Sequence, residues 1–340
     1  MSTNIGAVGA KERRGALNFW ILILLVAMVF LIVNFYLAAS NSSEEGEARS
    51  LVSQVQVESQ QIAKFAQEAA SGGYESFDML EATRASIQTA LDKLKKGDAA
   101  TGLPSFAESR GGVSVEKQLN ELISTWGPVS ENAEKILSRK ELVLNLADSA
   151  SAFSASVPQL QAQMDEVVRA MSESGAPSTQ IYIAVRQIVL ADRMLRYVTQ
   201  ILQGGAAAVS AADRFSRDYS MFGQVLVGLD NGSAEQGIRR VESGAGRQAL
   251  ARVAEGFAKA KQDVEFILDA STQLFEVKES SDTIFVESEQ LRAKARALNT
   301  AIDAMPDSRA FPSVTLGVAA GALAVFGLAG LLYSLYRDQT

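Results

Sequence analysis

Two uncharged apolar runs frame the chain. Asn18 to Ala39 (NFWILILLVAMVFLIVNFYLAA) holds no charge over 22 residues, about 33 Å as a helix, enough to cross a hydrocarbon core of roughly 30 Å. A second uncharged run covers 310–336, and its hydrophobic part, Val314 to Tyr336, is richer in Ala and Gly. Both are expected to be transmembrane helices. The first is long for the apolar core of a signal peptide, so it is expected to stay as an anchor.

Between these runs the pattern becomes helical, with no convincing strand alternation. Val143, Leu146, Ala150, Phe153, Val157, Leu160, Met164, Val167 and Met171 alternate steps of 3 and 4, a seam of the coiled-coil kind. Pro158 lies inside it and is expected to bend or break the helix. The step returns at Leu250, Val253, Phe257, Ala260, Val264 and Ile267, and again from Ile284 through Ser288, Leu291, Ala295, Leu298 and Ile302 to Met305. Ser271, Leu274, Lys278 and Ser281 join the two stretches with one shortened step, which reads as a stammer. A helix over 250–305 of about 84 Å follows, with Pro306 and Pro312 at its junction with the second apolar run.

Breaks are marked by Gly72-Gly73, Gly97-Asp98, Gly102 to Gly112, Gly175-Ala176-Pro177, Gly204-Gly205, Asp230-Asn231-Gly232 and Gly244-Ala245-Gly246. Ser178 is the expected N-cap of the helix that follows Pro177. At an offset of 132 and without gaps, Ile62, Phe65, Ala69, Gly72, Gly73, Leu80, Ile87 and Leu94 fall on Met194, Tyr197, Ile201, Gly204, Gly205, Ala212, Tyr219 and Leu226, although only five of 42 positions are identical. This spacing suggests an internal repeat, about 55–98 and 187–230, of two helix–Gly-Gly–helix hairpins. The expected fold is all-α: a tail (1–17), a first span (18–39), an outer region (40–310) of two stacked helical-bundle modules with a long return helix, a second span (314–336) and a short end (337–340).

Composition narrows the chemistry. The 340 residues include no Cys and no His, which removes disulfides, thiol nucleophiles, zinc fingers and His relays. The net charge of −7 argues against nucleic-acid binding. Lys11, Arg13 and Arg14 precede the first run, Glu44, Glu45 and Glu47 follow it, and Arg337 follows the second. The basic ends are expected to stay in the cytoplasm and the middle to lie outside. With +2 in the first tail and 0 in the last, that middle carries about −9.

No catalytic, metal or cofactor site is expected. Asp165 and Glu166 are adjacent on a helix and point different ways. Gly244-Ala245-Gly246-Arg247 lacks the spacing of a phosphate loop. In the charge-rich 213–219 segment, Phe215 and Tyr219, with Phe222, are expected to form a core stripe. Gly317 and Gly321 form a G-x-x-x-G that would let membrane helices approach closely.

Several stretches together, SQQIAKFAQEAASG (59–72), VPQLQAQMDEVV (157–168), ESGAPSTQIYIAVRQIVLADRML (173–195), SAADRFSRDYSMFGQVLVG (210–228) and STQLFEVKESSDTIFVESEQLRAKA (271–295), resemble the N-terminal sensor region of the PilJ family, methyl-accepting chemotaxis-type transducers of the type IV pilus system. The resemblance covers about 50–300. It implies a dimeric two-pass receptor of the bacterial inner membrane with a periplasmic sensor, acting in twitching motility and surface sensing. It further implies contact with pilin subunits and, through a cytoplasmic half, with CheA/CheW-type proteins. That half would follow Tyr336, so the chain is expected to be a truncated form of a longer receptor.

The resemblance also suggests where a ligand would sit. Sensor copies in the family often carry Ser-Gln-Arg and an apolar residue on the first helix, and a related fold in nitrate-sensing kinases holds an anion with arginine there. Here the first copy reads Ser59-Gln60-Gln61-Ile62 and the second Ala191-Asp192-Arg193-Met194. Gln60, Gln61, Arg193 and Arg186, seven residues before Arg193, are therefore the ligand candidates. The blander expectation is that Arg193 pairs with a nearby carboxylate. The leading functional expectation is a sensor input region that relays a cue through the membrane. A small-anion receptor for nitrate or nitrite and a passive pilus component are the alternatives.

Overall fold

The computed structural model describes residues 5–109 and 112–339. Lys11, Arg13, Arg14 and Arg337, which carry the orientation expectation, lie outside the residues whose side chains it describes. The elements are α1 (Ile5–Ala69), α2 (Tyr74–Lys96), α3 (Glu116–Ser138), α4 (Lys140–Glu173), α5 (Ser178–Gln203), α6 (Gly205–Asn231), α7 (Gly244–Lys259), α8 (Lys261–Asp303), the single turn α9 (Met305–Ser308) and α10 (Val314–Gln339). Among the described residues there is no strand, only the isolated bridges Asp98 to Leu103 and Ser233 to Ile238. The fold is all-α, as the periodicity predicts. Two helical stretches, beginning at Leu17 within α1 and Val314–Tyr336 in α10, are long and apolar enough to cross a membrane.

Two compact units form. One holds Met1–Glu58, Ser86–Trp126 and Gln290–Thr340, the other Ser59–Ala85 and Gly127–Glu289. In the first, polar bonds link neighbouring helices in a ring. Gln54 Nε2 donates to Ser86 Oγ at 2.8 Å (α1 to α2), and Trp126 Nε1 to Gln88 Oε1 at 2.8 Å (α3 to α2). Lys294 Nζ donates to Glu121 at 2.9 Å (α8 to α3), and Arg49 pairs with Asp303 at 3.3 Å (α1 to α8). Val52, Val55, Ile87, Leu91, Leu94, Leu119, Leu122, Leu291, Leu298 and Ile302 fill the interior. Burying each of these side chains contributes about 1.5–3 kcal/mol, which outweighs the few tenths to 1 kcal/mol expected of an exposed pair.

In the second unit α4 packs on α5 and α7, and α6 on α5 and α7, so the four helices also close into a ring. All nine seam residues of α4 are buried. Pro158 does not break that helix, because apolar contacts on both sides of it hold the seam while only one backbone bond is lost. Two of the three residues of the aromatic stripe are core as expected, and Tyr219 is only half-buried. Phe215 and Phe222 are fully buried, Phe153 meets Phe215 edge-on at 5.3 Å, and Phe257 stacks on Tyr219 at 4.4 Å and on Phe222 at 5.0 Å.

Three local expectations change. Pro177, not Ser178, stands at the N-cap of α5. Its carbonyl accepts the N–H groups of Gln180 and Ile181. The return helix is interrupted at Ala260, between α7 and α8. The shortened step falls earlier than expected: buried Val264, Ile267 and Ala270 follow in two steps of 3, and from Ala270 through Leu274, Val277, Ser281, Ile284, Ser288, Leu291, Ala295, Leu298, Ile302 and Met305, all buried, the steps alternate 4 and 3. Ala270 and Val277 occupy the seam where Ser271 and Lys278 were expected, because a small or apolar residue one position earlier fills the hole without burying an ammonium.

The Gly-Gly turns follow α1 and α5. Buried Ser59, Ile62, Ala66 and Ala69 stand 132 residues before buried Ala191, Met194, Val198 and Ile201. Beyond the turns the buried positions divide between two spacings: Thr83, Ala90 and Leu94 stay 132 residues before Phe215, Phe222 and Leu226, while others stand 131 apart. Phe77 and Leu80 correspond to Ala208 and Ala211, and Ile87 and Leu91 to Asp218 and Phe222. Ala212 and Tyr219 are only half-buried. The slip arises because α6 starts on the second glycine of its pair, whereas α2 starts one residue after its own.

Candidate functional site

Arg193 lies on α5 and reaches across to α6. Its Nη2 donates to Asp218 Oδ1 at 2.8 Å, and Oδ2 of the same carboxylate also stands 2.8 Å away. Asp218 is almost wholly buried, whereas the Arg193 side chain keeps 39% of its exposure. The guanidinium is therefore the counter-ion of a buried carboxylate. Burying that carboxylate alone would be costly, so Asp218 competes directly with any added anion. The neighbouring carboxylate, Asp192, pairs instead with Arg196. Arg186 is exposed on α5, and Gln60 and Gln61 are exposed on α1. Among the described residues no hydrogen bond joins Arg193, Arg186, Gln60 and Gln61. No cluster of His, Cys, Asp and Glu fit to hold a metal occurs among the described residues.

A second polar feature escaped the sequence reading. Lys278 sits beside the α8 seam, and its Nζ donates to Ser71 Oγ at 2.8 Å, in the first Gly-Gly turn. Its stem lies over the second turn, where a Cβ on Gly204 would stand 2.5 Å from Lys278 Cγ. One lysine thus bridges both turns. Burial pushes its ammonium pKa down, opposed by the charge of Asp282. It borders an open cleft of about 530 Å³ lined by Gly205, Phe275, Glu279, Asp282, Val286 and Glu287, among others. The signal in the sequence was the one charged residue written into the expected seam.

The apolar helices meet through small residues. A Cβ on Gly317 would stand 3.0 Å from Asn34 Nδ2. One on Gly327 would stand 3.5 Å from Leu24 Cβ, and one on Gly330 would stand 2.5 Å from the Trp20 indole. Gly321 has nothing within 4 Å. The close approach therefore uses Gly317, Gly327 and Gly330, and Gly321 of the G-x-x-x-G takes no part in it.

A polar ladder continues at the end of this contact. Asn34 is buried. It donates from Nδ2 to the Ser313 carbonyl at 3.3 Å and accepts at Oδ1 from the Ser313 N–H at 3.1 Å. Phe30 packs on Phe311 at 5.7 Å. Glu45 and Arg309 then form an ion pair with side chains only 1% and 5% exposed. Among the described residues Arg309 Nε has no hydrogen-bond partner. Arg49, one turn beyond Glu45, pairs with Asp303 in a half-exposed setting.

Comparison with known proteins places this architecture in a class. Residues 42–153 match the PilJ family model, described as the N-terminal part of type IV pili methyl-accepting chemotaxis transducers. The chain thus carries a domain of the PilJ N-terminal family at residues 42–153, as the sequence motifs indicated. It is 34% identical over 332 residues to AlkN of Alcanivorax borkumensis, a protein assigned to methyl-accepting chemotaxis. That alignment covers 96% of this chain and 47% of AlkN. It is 35% identical over 304 residues to the protein PilJ of Pseudomonas aeruginosa, covering 89% of this chain and 44% of that protein. The chain spans about half the length of these curated relatives.

Proposed function

We propose that the chain is the sensory input region of a chemoreceptor-like transducer of a type IV pilus chemosensory system. It is read as a two-pass inner-membrane protein with residues 40–310 in the periplasm. A pilin subunit, a surface or a small ligand would bias two packings of a dimeric bundle, and α8 would pass the shift to the second span. A cue acts only by binding the two packings unequally, and helix displacements of about 1–2 Å are typical of such switches. Output would run through a cytoplasmic half to CheA/CheW-type proteins and so to twitching motility.

The observation that carries this reading is the similarity to a methyl-accepting chemotaxis protein over 96% of the chain, together with two helices long and apolar enough to cross a membrane. The basic N-terminal tail and the lack of Cys are consistent with the orientation. The nitrate-type alternative gains no support, since Asp218 occupies Arg193.

The test is a chimera. Residues 1–340 are joined to the cytoplasmic half of Pseudomonas aeruginosa PilJ in a strain lacking its own. Restored surface-dependent motility supports the reading. A chimera that is expressed and inserted but leaves motility at the level of the deletion strain refutes it.

A further inference from the structure

We propose that the buried Glu45–Arg309 pair is a register lock, holding the two apolar helices of one chain in a single axial alignment. Four observations converge. First, the link before α10 is not a continued helix: α8 ends at Asp303, α9 is a single turn, and α10 begins at Val314. Such a joint does not by itself transmit an axial position. Second, the contact between α1 and α10 is made largely by glycines and apolar side chains. Side chains of that kind slide past one another with little directional penalty. Third, Glu45 and Arg309 are the charges at this level with almost no exposure. Sliding either helix by one residue would separate them and leave one charge buried alone, which is strongly disfavoured. Fourth, Arg309 Nε finds no partner among the described residues even in the paired state, so the guanidinium relies on Glu45 for its neutralisation.

Asn34, bonded through both amide atoms to the Ser313 backbone, is the second rung. Its bonds are short-range and would not survive a shift of one residue. Arg49–Asp303 is half-exposed at both ends and can re-form through longer rotamers, so it adds little to the lock. Glu45 and Arg309 are positioning residues, and what the fixed register is for rests on the receptor reading above. Crosslinking of the chain itself examines the lock without invoking signalling, so failure of one is separable from failure of the other.

The native absence of Cys makes that measurement direct. Leu24 Cβ and a Cβ on Gly327 would lie 3.5 Å apart, within disulfide reach. In the full chain in membranes, the pair L24C with G327C should oxidise in high yield. L24C with L323C and L24C with L331C, displaced by about one helical turn along α10, should not. Adding E45Q or R309Q should lower the first yield and raise one of the displaced ones. E45Q together with R309Q removes the lock without leaving a charge buried alone, and should spread the yield from L24C with G327C to the displaced pairs. R49Q should leave all three yields as they were. Helix content measured by circular dichroism separates a moved register from loss of folding. Should E45Q and R309Q both fold and both keep the parent crosslinking pattern, the lock is overturned. Should either fail to fold, the folded double variant decides: a parent pattern there overturns the lock, and a pattern spread over the displaced pairs supports it.

Discussion

The ammonium of Lys278 donates to the Ser71 hydroxyl at 2.8 Å while its stem covers Gly204. One side chain on the return helix thereby holds two turns that lie 132 residues apart. Truncating it with K278A should loosen both turns together. Amide exchange at Gly73, bonded to the Glu68 carbonyl at 3.0 Å, and at Gly204, bonded to the Ile201 carbonyl at 3.1 Å, should speed up. The Gly175 amide should not change. Faster exchange at one turn alone would mean that the bridge is not shared.

Gly72 and Gly175 differ in a way that stability measurements will show. Both have positive φ, +91° and +74°. A Cβ at Gly72 would stand 2.7 Å from Ala147 Cβ, whereas Gly175 faces open space. G175A should cost about 1–2 kcal/mol, the left-handed backbone alone. G72A adds overpacking against a side chain that cannot rotate away and should cost about 2–4 kcal/mol. Thermal melts followed by circular dichroism suffice, and equal losses would refute the assigned clash.

Removing Arg193 should hurt more than neutralising Asp218. R193A strands a buried carboxylate and is expected to cost about 2–3 kcal/mol, discounted from a fully buried pair because the arginine reaches solvent. D218N keeps the shape and leaves an exposed arginine, at about 1 kcal/mol. The two together should resemble D218N alone. Additivity of the single losses would show that the pair is not coupled.

Alkaline pH separates two groups of opposite sign. Burial, with a smaller push from Glu265, raises Tyr219 from 10.0 to about 12. The unfolded chain loses that proton first, so the contribution is complete below pH 10 and is lost as pH rises toward 12. For a half-exposed ring this is of order 1–2 kcal/mol. Lys278 behaves inversely. Its folded pKa lies below 10.5, the unfolded state binds the proton more tightly, and stability rises with pH just below 10.5. Melting curves of Y219F should lack the fall above pH 10, and those of K278M should lack the rise below 10.5. A Y219F curve parallel to the parent across pH 10–12 would sink the first half.

Much of the helical scaffold was legible because burial repeats on a short period. The nine α4 positions from Val143 to Met171 are buried without exception, and Phe215 and Phe222 fall in the core. Reading failed where two neighbouring residues both suited the period, as with Ala270 and Ser271 or Val277 and Lys278. There the choice rests on which side chain the opposite helices can cover. The interruption at Ala260 left no such trace, because its neighbours keep the seam spacing. Partnerships were beyond reach for a different reason. Arg193 finds Asp218 25 residues away and Arg309 finds Glu45 264 residues away. Glu45 could be read only as one acid in a group of three. Asn34 was a visible signal, a polar amide inside an uncharged apolar run, but its partner Ser313 was not.

The two apolar helices are reached by differently built routes. α1 runs from Ile5 to Ala69 as one rod, while the return path is segmented between Asp303 and Val314. The rod is stiff along its axis and the segmented path is compliant, so an axial load on α10 would fall first on the Glu45–Arg309 contact. On the receptor reading proposed above, the movement crossing the bilayer would be set by the yield point of that one ionic contact and hardly at all by the rigidity of the long helices.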